Sequence, residues 1–298
     1  MDFGKLKTFL MIAEEKNMTR ASRRLHLTQP AVSAQLARLE EEVGQRLFDR
    51  LATGMELTEA GVVYEGYVKD ALSRLSDGKA ALDELIGLKQ GSLAVGGGAT
   101  ATTYLLPESL GRFHGAHPGI RFFVREQSSQ QSVADVLAGE LDLAIVTLPL
   151  RGATEQVGVG KLEVIPWVED ELRLIVPPAH EMSRKKSFRW EELDRLPLVL
   201  FEAGSAVRAI IDQRVAAAQI DVELVMELRA IESIKQMVAQ GIGAGFVSQY
   251  ALKEFEEGLR CVEDPIRRKL AIIYRGDRRP SPAAEAFLEM LKRTGARE

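Results

Sequence analysis

The sequence predicts a multidomain chain: an all-α helix-turn-helix region, one long linker helix and an α/β domain of two lobes. Three patterns predict this organisation. Within residues 19–44, two short amphipathic helices flank a tight turn. Within residues 58–88, a stretch without proline has apolar residues spaced alternately by four and three positions. After residue 90, segments typical of strands alternate with segments typical of helices. The 298 residues, 46% of them apolar, suffice for two or three domains with cores of their own.

The N-terminal pattern predicts two short helices joined by a tight turn. The first covers Thr19–Leu25, His26 and Leu27 form the turn, and Thr28 is the expected N-cap of the second. Pro30 fits the start of this second helix, where its missing N–H would have no partner. The apolar residues that form its buried stripe are Val32, Leu36 and Leu39. The residues predicted to face outward are Gln29, Ser33, Ala34, Gln35 and Arg38.

The outward side chains suit the edges of DNA bases. Glutamine can bond adenine through two atoms, serine can bond either member of a base pair, and alanine lets the helix approach thymine methyl groups. Five Lys or Arg and no Asp or Glu lie between Lys16 and Leu39, as expected of a surface that faces phosphates. The alternative is an ordinary amphipathic helical hairpin with a polar face. The residues predicted to contact bases are Gln29, Pro30, Ser33, Ala34 and Gln35, and those predicted to contact phosphates are Arg20, Thr28, Arg38 and Arg50.

A longer set of residues with fixed spacings surrounds these two helices. They are Phe9, Thr19 to Ser22, Leu25, Thr28 to Ser33, Gln35-Leu36, Leu39-Glu40, Gly44, Leu47 to Arg50 and Leu57 to Gly61. In these residues the chain resembles the winged helix-turn-helix of LysR-type transcriptional regulators. Gly44 is then expected to end the second helix in a left-handed conformation, and residues 51–57 form the wing.

The charge of this region differs from that of a strongly basic DNA-binding domain. Members of the family often carry arginine in the wing, whereas here Arg50 lies only at its base. Residues 1–57 hold nine Lys or Arg and eight Asp or Glu, a net charge of +1. We therefore expect modest, salt-dependent affinity for non-specific DNA, with dimerisation supplying much of the specific affinity.

The long helix predicted after residue 57 carries an apolar seam. Its members are Val68, Leu72, Leu75, Lys79, Leu82 and Ile86. Gly66 and Gly78 weaken the helix by about 1 kcal/mol each, so a packing partner is expected. The resemblance implies that this helix pairs antiparallel with the same helix of a second subunit, in a homodimer or in a homotetramer of two dimers. Such a dimer would bind a dyad-symmetric site on double-stranded DNA. RNA polymerase is a further candidate partner. The alternative is a helix that packs only on its own domain.

After residue 90, segments typical of strands alternate with segments typical of helices. The first run has strands Ser92–Gly96, Ile120–Glu126 and Leu141–Val146 with helices Leu105–Ala116 and Ser132–Gly139 between them. The second has strands Glu171–Val176, Leu198–Phe201, Val222–Glu227 and Gly245–Val247, and helices Trp190–Arg195, Ser205–Gln219 and Ile231–Gln240. The short apolar strands predict parallel sheets covered on both faces.

This region also resembles the co-inducer domain of LysR-type regulators, which is built like a two-lobed periplasmic binding protein. The matching landmarks are Asp142 to Ile145, Glu202 to Ser205 with Arg208, and Gly241 to Val247. The resemblance implies a winged helix-turn-helix at 1–57, a linker helix at 58–89, lobe I at 92–163 completed by 268–298, and lobe II at 164–267. Two crossover strands would form a hinge between the lobes.

Hydroxyl groups cluster where the predicted strands end. In such sheets a ligand lies beyond the carboxyl ends of the strands, and helix N-termini there favour anions. The residues predicted to bind a small anionic metabolite are Thr100, Thr102, Ser128, Thr147, Ser205 and Ser248. Each of them could instead cap the next helix. Arg208 could contact the ligand or form an ion pair with Glu202.

Other function classes find little support in the sequence. The four histidines lack metal-ligand spacing, no nucleophile elbow or P-loop occurs, and Gly96-Gly97-Gly98 lacks the dinucleotide-binding order. We therefore expect no catalytic residues, no metal and no cofactor. The single cysteine, Cys261, cannot form an internal disulfide switch and is predicted to lie in a strand or at its edge. With no signal sequence or membrane span, the expectation is a cytoplasmic DNA-binding regulator controlled by a small anionic metabolite.

Overall fold

The computed structural model describes residues 2–51, 54–84, 91–150, 161–252 and 258–295. The chain forms two compact units, Met1–Lys79 and Ala80–Glu298. Across the described ranges, no helix combines the length and the apolar run that crossing a bilayer requires.

The N-terminal unit consists of helices and one hairpin. Its elements are α1 (Phe3–Glu15), α2 (Met18–Arg24), α3 (Gln29–Val43), β1 (Phe48–Leu51), β2 (Gly54–Leu57) and the first part of α4 (Glu59–Glu84). Strands β1 and β2 pair antiparallel and form the predicted wing, of which Ala52 and Thr53 lie outside the described residues. The buried core joins all of these elements, with Phe9, Leu36 and Phe48 among its largest members.

The predicted helix-turn-helix is confirmed, and its first helix, α2, begins one residue earlier than predicted. The Thr28 side chain accepts a hydrogen bond from the Ala31 N–H at 3.4 Å, and Gly44 ends α3 with a φ of 74°. Helix α2 begins at Met18 and not at Thr19, because the Asn17 side chain accepts hydrogen bonds from the first free N–H groups. The local capping chemistry thus fixes both ends of α3.

The apolar seam of α4 divides into two parts. Val68 is 3% exposed and Leu72 is partly buried, and both pack into the core of the N-terminal unit. Leu75 and Leu82 are 51% and 65% exposed. At Val68 and Leu72, α4 therefore packs on its own domain, which was the alternative to pairing with a second subunit. Ile86 and the side chain of Lys79 lie outside the described residues.

The C-terminal unit is an α/β structure built on one large sheet. Its helices are α5 (Leu106–Ala116), α6 (Ser129–Ala138), α7 (Ala206–Ala218), α8 (Ile231–Ala239) and α9 (Pro282–Gly295). Its strands are β3 (Gly91–Gly97), β4 (Ile120–Glu126), β5 (Leu143–Leu148), β6 (Leu162–Ile175), β7 (Ser187–Phe188), β8 (Pro197–Phe201), β9 (Glu223–Leu228), β10 (Ala244–Ser248), β11 (Arg260–Cys261) and β12 (Ile266–Arg275). A π-helical turn, Ala101–Leu105, precedes α5, and the predicted helix Trp190–Arg195 is a single 3-10 turn over Trp190–Leu193.

The eight-stranded sheet has the order β4-β3-β5-β12-β6-β10-β8-β9. The three strands at each side run parallel, as predicted. In the centre β12 is antiparallel to β5 and β6, and β6 is antiparallel to β10. We call the β4-β3-β5 side lobe I and the β10-β8-β9 side lobe II. Strands β6 and β12 connect the two.

Each lobe has its own buried cores. Lobe I carries one cluster that includes Phe113 and Phe287 and a second that includes Val136 and Leu141. The lobe II cluster contains Cys261, which lies in β11 as its sequence context predicted. Burial raises the pKa of the Cys261 thiol, so the side chain behaves as a small apolar residue.

Candidate functional site

A cleft of about 430 Å³ opens between lobe I and lobe II of the C-terminal unit. It lies beyond the carboxyl ends of β3, β4 and β5 on one side and of β8 on the other. The loops that follow these strands line it, with Gly98, Gln127 and Gly204 among their residues. This is the position that the strand order predicts for a ligand in an α/β sheet.

Four of the six predicted ligand-binding residues lie in the wall of this cleft: Thr100, Ser128, Thr147 and Ser205. Ser128 caps α6 and Ser205 caps α7, each accepting a hydrogen bond from a backbone N–H in the first turn of its helix. Thr100 precedes the π-helical turn. The capping role and the position in the cleft are thus compatible, because a capped helix still directs its remaining free N–H groups toward the cleft.

Arg268 in β12 lies at the floor of the cleft. Only 5% of its side chain is exposed, although Arg268 is one of the lining residues. One terminal nitrogen donates to Thr100 Oγ1 at 2.7 Å, and the other donates to Thr147 Oγ1 at 3.5 Å. Its Nε donates to Asp170 Oδ2 at 2.8 Å, which makes a buried ion pair with the carboxylate in β6. Two predicted ligand residues therefore meet at one buried cation.

Ser248 and Thr102 are not among the lining residues of the cleft. The Ser248 hydroxyl donates to Asp170 Oδ1 at 2.8 Å and is 2% exposed, so it holds the carboxylate that holds Arg268. The Thr102 hydroxyl lies 3.0 Å from Glu126 Oε2 and also bonds the Gly98 carbonyl. Each side chain is committed to a neighbouring residue in this conformation, and direct ligand contact by either one stays a prediction.

Arg208 is held by acidic side chains, but not by Glu202. Although burial opposes its charge, hydrogen bonds to Asp212 and Glu227 raise the pKa of Arg208. Glu202 instead accepts a hydrogen bond from Arg229 Nε at 2.7 Å, and this bond raises the pKa of Arg229. Arg208 is therefore a structural residue that joins α7 to β9.

The charged residues of the cleft wall were not found from the sequence. They are Glu126, Glu202, Arg229 and Arg268. A signal for Arg268 was present, since Ile266, Arg268 and Leu270 alternate with the exposed Arg267 and Lys269 in β12. An arginine at a core position of an alternating strand needs a buried partner, and such a pair commonly marks a functional site.

A second candidate surface lies on α3 in the N-terminal unit. The exposed residues of this surface are Thr28, Gln29, Pro30, Ala34 and Arg38, and Ser33 is partly exposed. Residues spaced by three or four along a helix share one face, so the rows Gln29–Ser33 and Pro30–Ala34–Arg38 form one continuous surface opposite the buried stripe. Arg50 is also exposed, at the base of the wing.

Two predicted DNA contacts differ from expectation. Gln35 does not face fully outward: it is partly buried, and its Oε1 accepts a hydrogen bond from the Thr8 hydroxyl of α1. The physical reason is its spacing of three residues from Val32 and four from Leu39, which places it beside the buried stripe. Arg20 is exposed but forms an ion pair with Glu15 at 3.4 Å, so part of the predicted positive charge is compensated within the protein.

Two family models match the chain and together span most of it. The model of the bacterial regulatory helix-turn-helix protein, lysR family, matches residues 3–62. The model of the LysR substrate binding domain matches residues 87–296.

Individual relatives and solved structures agree with these models. A probable RuBisCO transcriptional regulator of Trichormus variabilis is 36% identical over 290 residues, which cover 95% of this chain and 85% of the relative. Full-length CbnR in complex with its target DNA has the same fold, with a TM-score of 0.68, 23% identity and coverage of 99% of this chain and all of CbnR. The CcmR regulatory domain of Synechocystis PCC6803, solved in complex with 2-PG, has a TM-score of 0.61 and 25% identity and covers 70% of this chain and 99% of that domain.

Proposed function

The chain belongs to the LysR family of bacterial transcriptional regulators, and on this premise we propose that its cleft binds a small anionic metabolite that controls DNA binding by α3. The members of this family are DNA-binding regulators with an effector domain and are not enzymes.

The position of Arg268 carries the proposal of an anionic effector. The guanidinium at the floor of the cleft is paired with Asp170 and can donate to a carboxylate or phosphate through the terminal nitrogen that contacts Thr147. The capped N-termini of α6 and α7 add backbone N–H groups and positive partial charge at the same cleft. In the related CcmR domain the bound molecule is 2-PG, which makes 2-PG the first compound to test on this chain.

Control of DNA binding then follows from differential affinity. An effector that binds one relative arrangement of the lobes more tightly than another shifts the population toward it. Strands β6 and β12 carry Asp170 and Arg268 and also connect the lobes, so a ligand bound at Arg268 acts directly on the connecting strands. Coupling between two such sites is typically about 1–3 kcal/mol.

We expect anions to stabilise the C-terminal unit. Both tryptophans, Trp167 and Trp190, lie in this unit, so tryptophan fluorescence during thermal unfolding reports on it. At a concentration 100 times the Kd, a ligand adds about 2.7 kcal/mol to the free energy of unfolding. 2-PG and sulfate should therefore raise the unfolding temperature, and glycerol at the same concentration serves as the neutral control. The absence of a rise with any anion would contradict an anionic effector.

On the DNA side we propose that the exposed face of α3 contacts bases. The candidates are Gln29, Pro30, Ser33 and Ala34, with Gln35 reduced to a side chain shared between α1 and the DNA. The proposed phosphate contacts are Arg20, Thr28, Arg38 and Arg50. Arg20 forms an ion pair with Glu15, whereas within the described residues Arg38 and Arg50 have no acidic partner that would compensate their charge. Bases supply sequence preference and phosphates supply affinity.

Substitutions on α3 should separate these two roles. Gln29→Ala is expected to relax the preference at one base position by about 1–3 kcal/mol, because it removes a bidentate base contact. Arg38→Ala is expected to weaken binding to all sequences and to lower the salt slope by about 1. Fluorescence anisotropy on specific and random duplexes across salt concentrations measures both effects.

The DNA for this experiment comes from mapping bound sites across the source genome. Because the relatives are probable RuBisCO transcriptional regulators, the RuBisCO promoter region is the first site to test. Arg112→Ala, an exposed change on α5, serves as the control that should leave DNA binding unchanged. Equal losses on specific and random DNA for both α3 variants would contradict the assigned roles.

We also propose that α4 pairs with its copy in a second subunit. The helix carries an exposed apolar stripe whose members are each more than half exposed: Val63, Tyr67, Leu75 and Leu82. At 100° per residue, these four positions lie within about 120° around the helix axis. A dimer would place two α3 helices on a dyad-symmetric site, and two dimers would form a homotetramer. The proposed setting is the cytoplasm, where RNA polymerase is a further candidate partner.

A further inference from the structure

The wing touches the turn between α1 and α2 through a close backbone contact, which we call the wing junction. Lys16 follows α1 in a left-handed conformation, with a φ of 50°, and its carbonyl accepts a hydrogen bond from the Met55 N–H at 2.9 Å. Gly54, with a φ of 143°, lies against the same carbonyl, and a Cβ built on it would be 2.4 Å from the Lys16 oxygen. Glycine at position 54 therefore allows the wing to approach Lys16 this closely.

The wing has one face with a cation and one face with two carboxylates. In the antiparallel pairing of β1 with β2, Arg50 is opposite Met55. Asp49 is opposite Glu56. Residues directly opposite each other share a face of a hairpin, and neighbours along a strand lie on opposite faces. Arg50 thus lies on the face of Met55, which bonds Lys16, and the other face carries two exposed carboxylates that would repel phosphate.

Lys16 and Arg50 carry charge that the protein does not compensate. Both residues are exposed, and among the described residues no acidic side chain pairs with either of them. Glu15, the neighbour of Lys16, is already paired with Arg20 at 3.4 Å and with Arg24 at 2.7 Å. These ion pairs reduce the positive charge that α2 offers, whereas Lys16 and Arg50 keep theirs for an anion outside the protein.

The DNA backbone is the anion that the wing junction can reach. When the second helix of a helix-turn-helix lies in the major groove, the first helix crosses the backbone. Helix α2 is this first helix, and it begins at Met18, two residues after Lys16. The junction therefore lies beside the phosphates that flank the groove occupied by α3.

We propose that Lys16 and Arg50 bind one stretch of DNA backbone together and that Gly54 positions Arg50 for this contact. The inference rests on the proposed binding of DNA by α3, and it adds a contact site outside the two helices of the motif. It also assigns the face of the wing that meets DNA. The face of Arg50 meets the backbone, and the face of Asp49 and Glu56 points to solvent.

Salt titrations of DNA binding by the full chain test the contact. Fluorescence anisotropy on a random-sequence duplex gives the slope of log K against log salt concentration. We expect Lys16→Asn and Arg50→Ala each to reduce this slope by about 1, because each removes one phosphate contact. Asparagine is chosen at position 16 because it tolerates the left-handed backbone.

Two further variants serve as matched controls for charge. Lys7→Asn removes the same charge from an exposed position earlier on α1 and should leave the slope unchanged. Glu56→Gln changes the acidic face of the wing and should also leave the slope unchanged. An increase of about 1 in the slope of Glu56→Gln would place the acidic face on DNA and overturn the inference.

Gly54→Ala tests the positioning of Arg50. We expect it to reduce the slope as Arg50→Ala does, because the added Cβ pushes the wing away from the Lys16 carbonyl. In the Gly54→Ala background, Arg50→Ala should have less than about half of its effect in the parent chain, since coupled residues are not additive. The base preference that depends on Gln29 should persist in Gly54→Ala, whereas general unfolding of the domain would abolish it.

The contrary outcomes distinguish this inference from the proposed role of α3. An unchanged slope in either Lys16→Asn or Arg50→Ala, or full additivity of Gly54→Ala with Arg50→Ala, overturns the inference and leaves α3 as the base-reading helix. If Gly54→Ala does not fold, the slopes of the Lys16 and Arg50 variants still decide the contact. If Gln29→Ala and Arg38→Ala also leave DNA binding unchanged, the proposed DNA surface is wrong and this inference with it.

Discussion

Arg268→Met is expected to lower the free energy of unfolding of the C-terminal unit by about 3–5 kcal/mol, because it leaves the Asp170 carboxylate buried without its cation. The Asp170 side chain is fully buried, so water cannot replace the lost partner. Urea unfolding followed by fluorescence of Trp167 and Trp190 measures this loss, since both residues belong to the C-terminal unit. The same variant should no longer bind the anion that stabilises the parent chain.

Two further variants separate the ion pair from simple loss of packing. Arg268→Lys keeps a positive charge but loses the planar fork that reaches Thr100, Thr147 and Asp170 together, so a smaller loss is expected. Combining Arg268→Met with Asp170→Leu removes both charges and should recover at least half of the stability, as apolar replacements of buried pairs often do. If the double variant were as unstable as Arg268→Met, the unpaired Asp170 carboxylate would not be the cause of the lost stability.

Gly61→Ala is expected to destabilise the N-terminal unit by about 3 kcal/mol, near the upper end of the cost of overpacking. A Cβ at this position would lie 2.1 Å from the Leu47 carbonyl oxygen, which already accepts a hydrogen bond from the Thr58 N–H. The obstacle is backbone and cannot rotate away, so the first turn of α4 would have to move from β1. Faster hydrogen exchange of the α1 and α3 amides would report the loss, with weaker binding to DNA as a consequence.

Gly66→Ala is the matched control in the same helix. No atom lies within 4 Å of a Cβ built at Gly66, so the substitution adds helix propensity without a clash. It should stabilise the helix by up to about 1 kcal/mol. If both alanines had the same effect, the close approach of α4 to Leu47 would not explain the requirement for glycine at position 61.

Features determined by a few neighbouring residues could be predicted from the sequence. The Thr28 cap, the left-handed Gly44 and the strand Ile120–Glu126 all agree with the structure, because capping chemistry and apolar periodicity act over one or two turns. Gln35 was also within reach of such reasoning. Its spacing of three residues from Val32 and four from Leu39 predicts a partly buried location beside the stripe.

The centre of the candidate site could not be predicted in the same way. Arg268 is buried because Asp170, 98 residues away in the sequence, lies beside it in the sheet. The partner of Ser248 could not be predicted for the same reason, since it is that carboxylate on another strand. Pairing between β6 and β12 brings these groups together, and no local pattern encodes that register.

The division of α4 has a practical consequence for exchanging DNA-binding domains between regulators. Because Val68 and Leu72 fill the core around Phe9 and Phe48, a fusion joint placed at the end of the wing would remove part of that core from its own domain. A chimera joined after Leu72 keeps the donor's helix-turn-helix with the residues that support it. The functional module therefore extends beyond the boundary that the wing suggests.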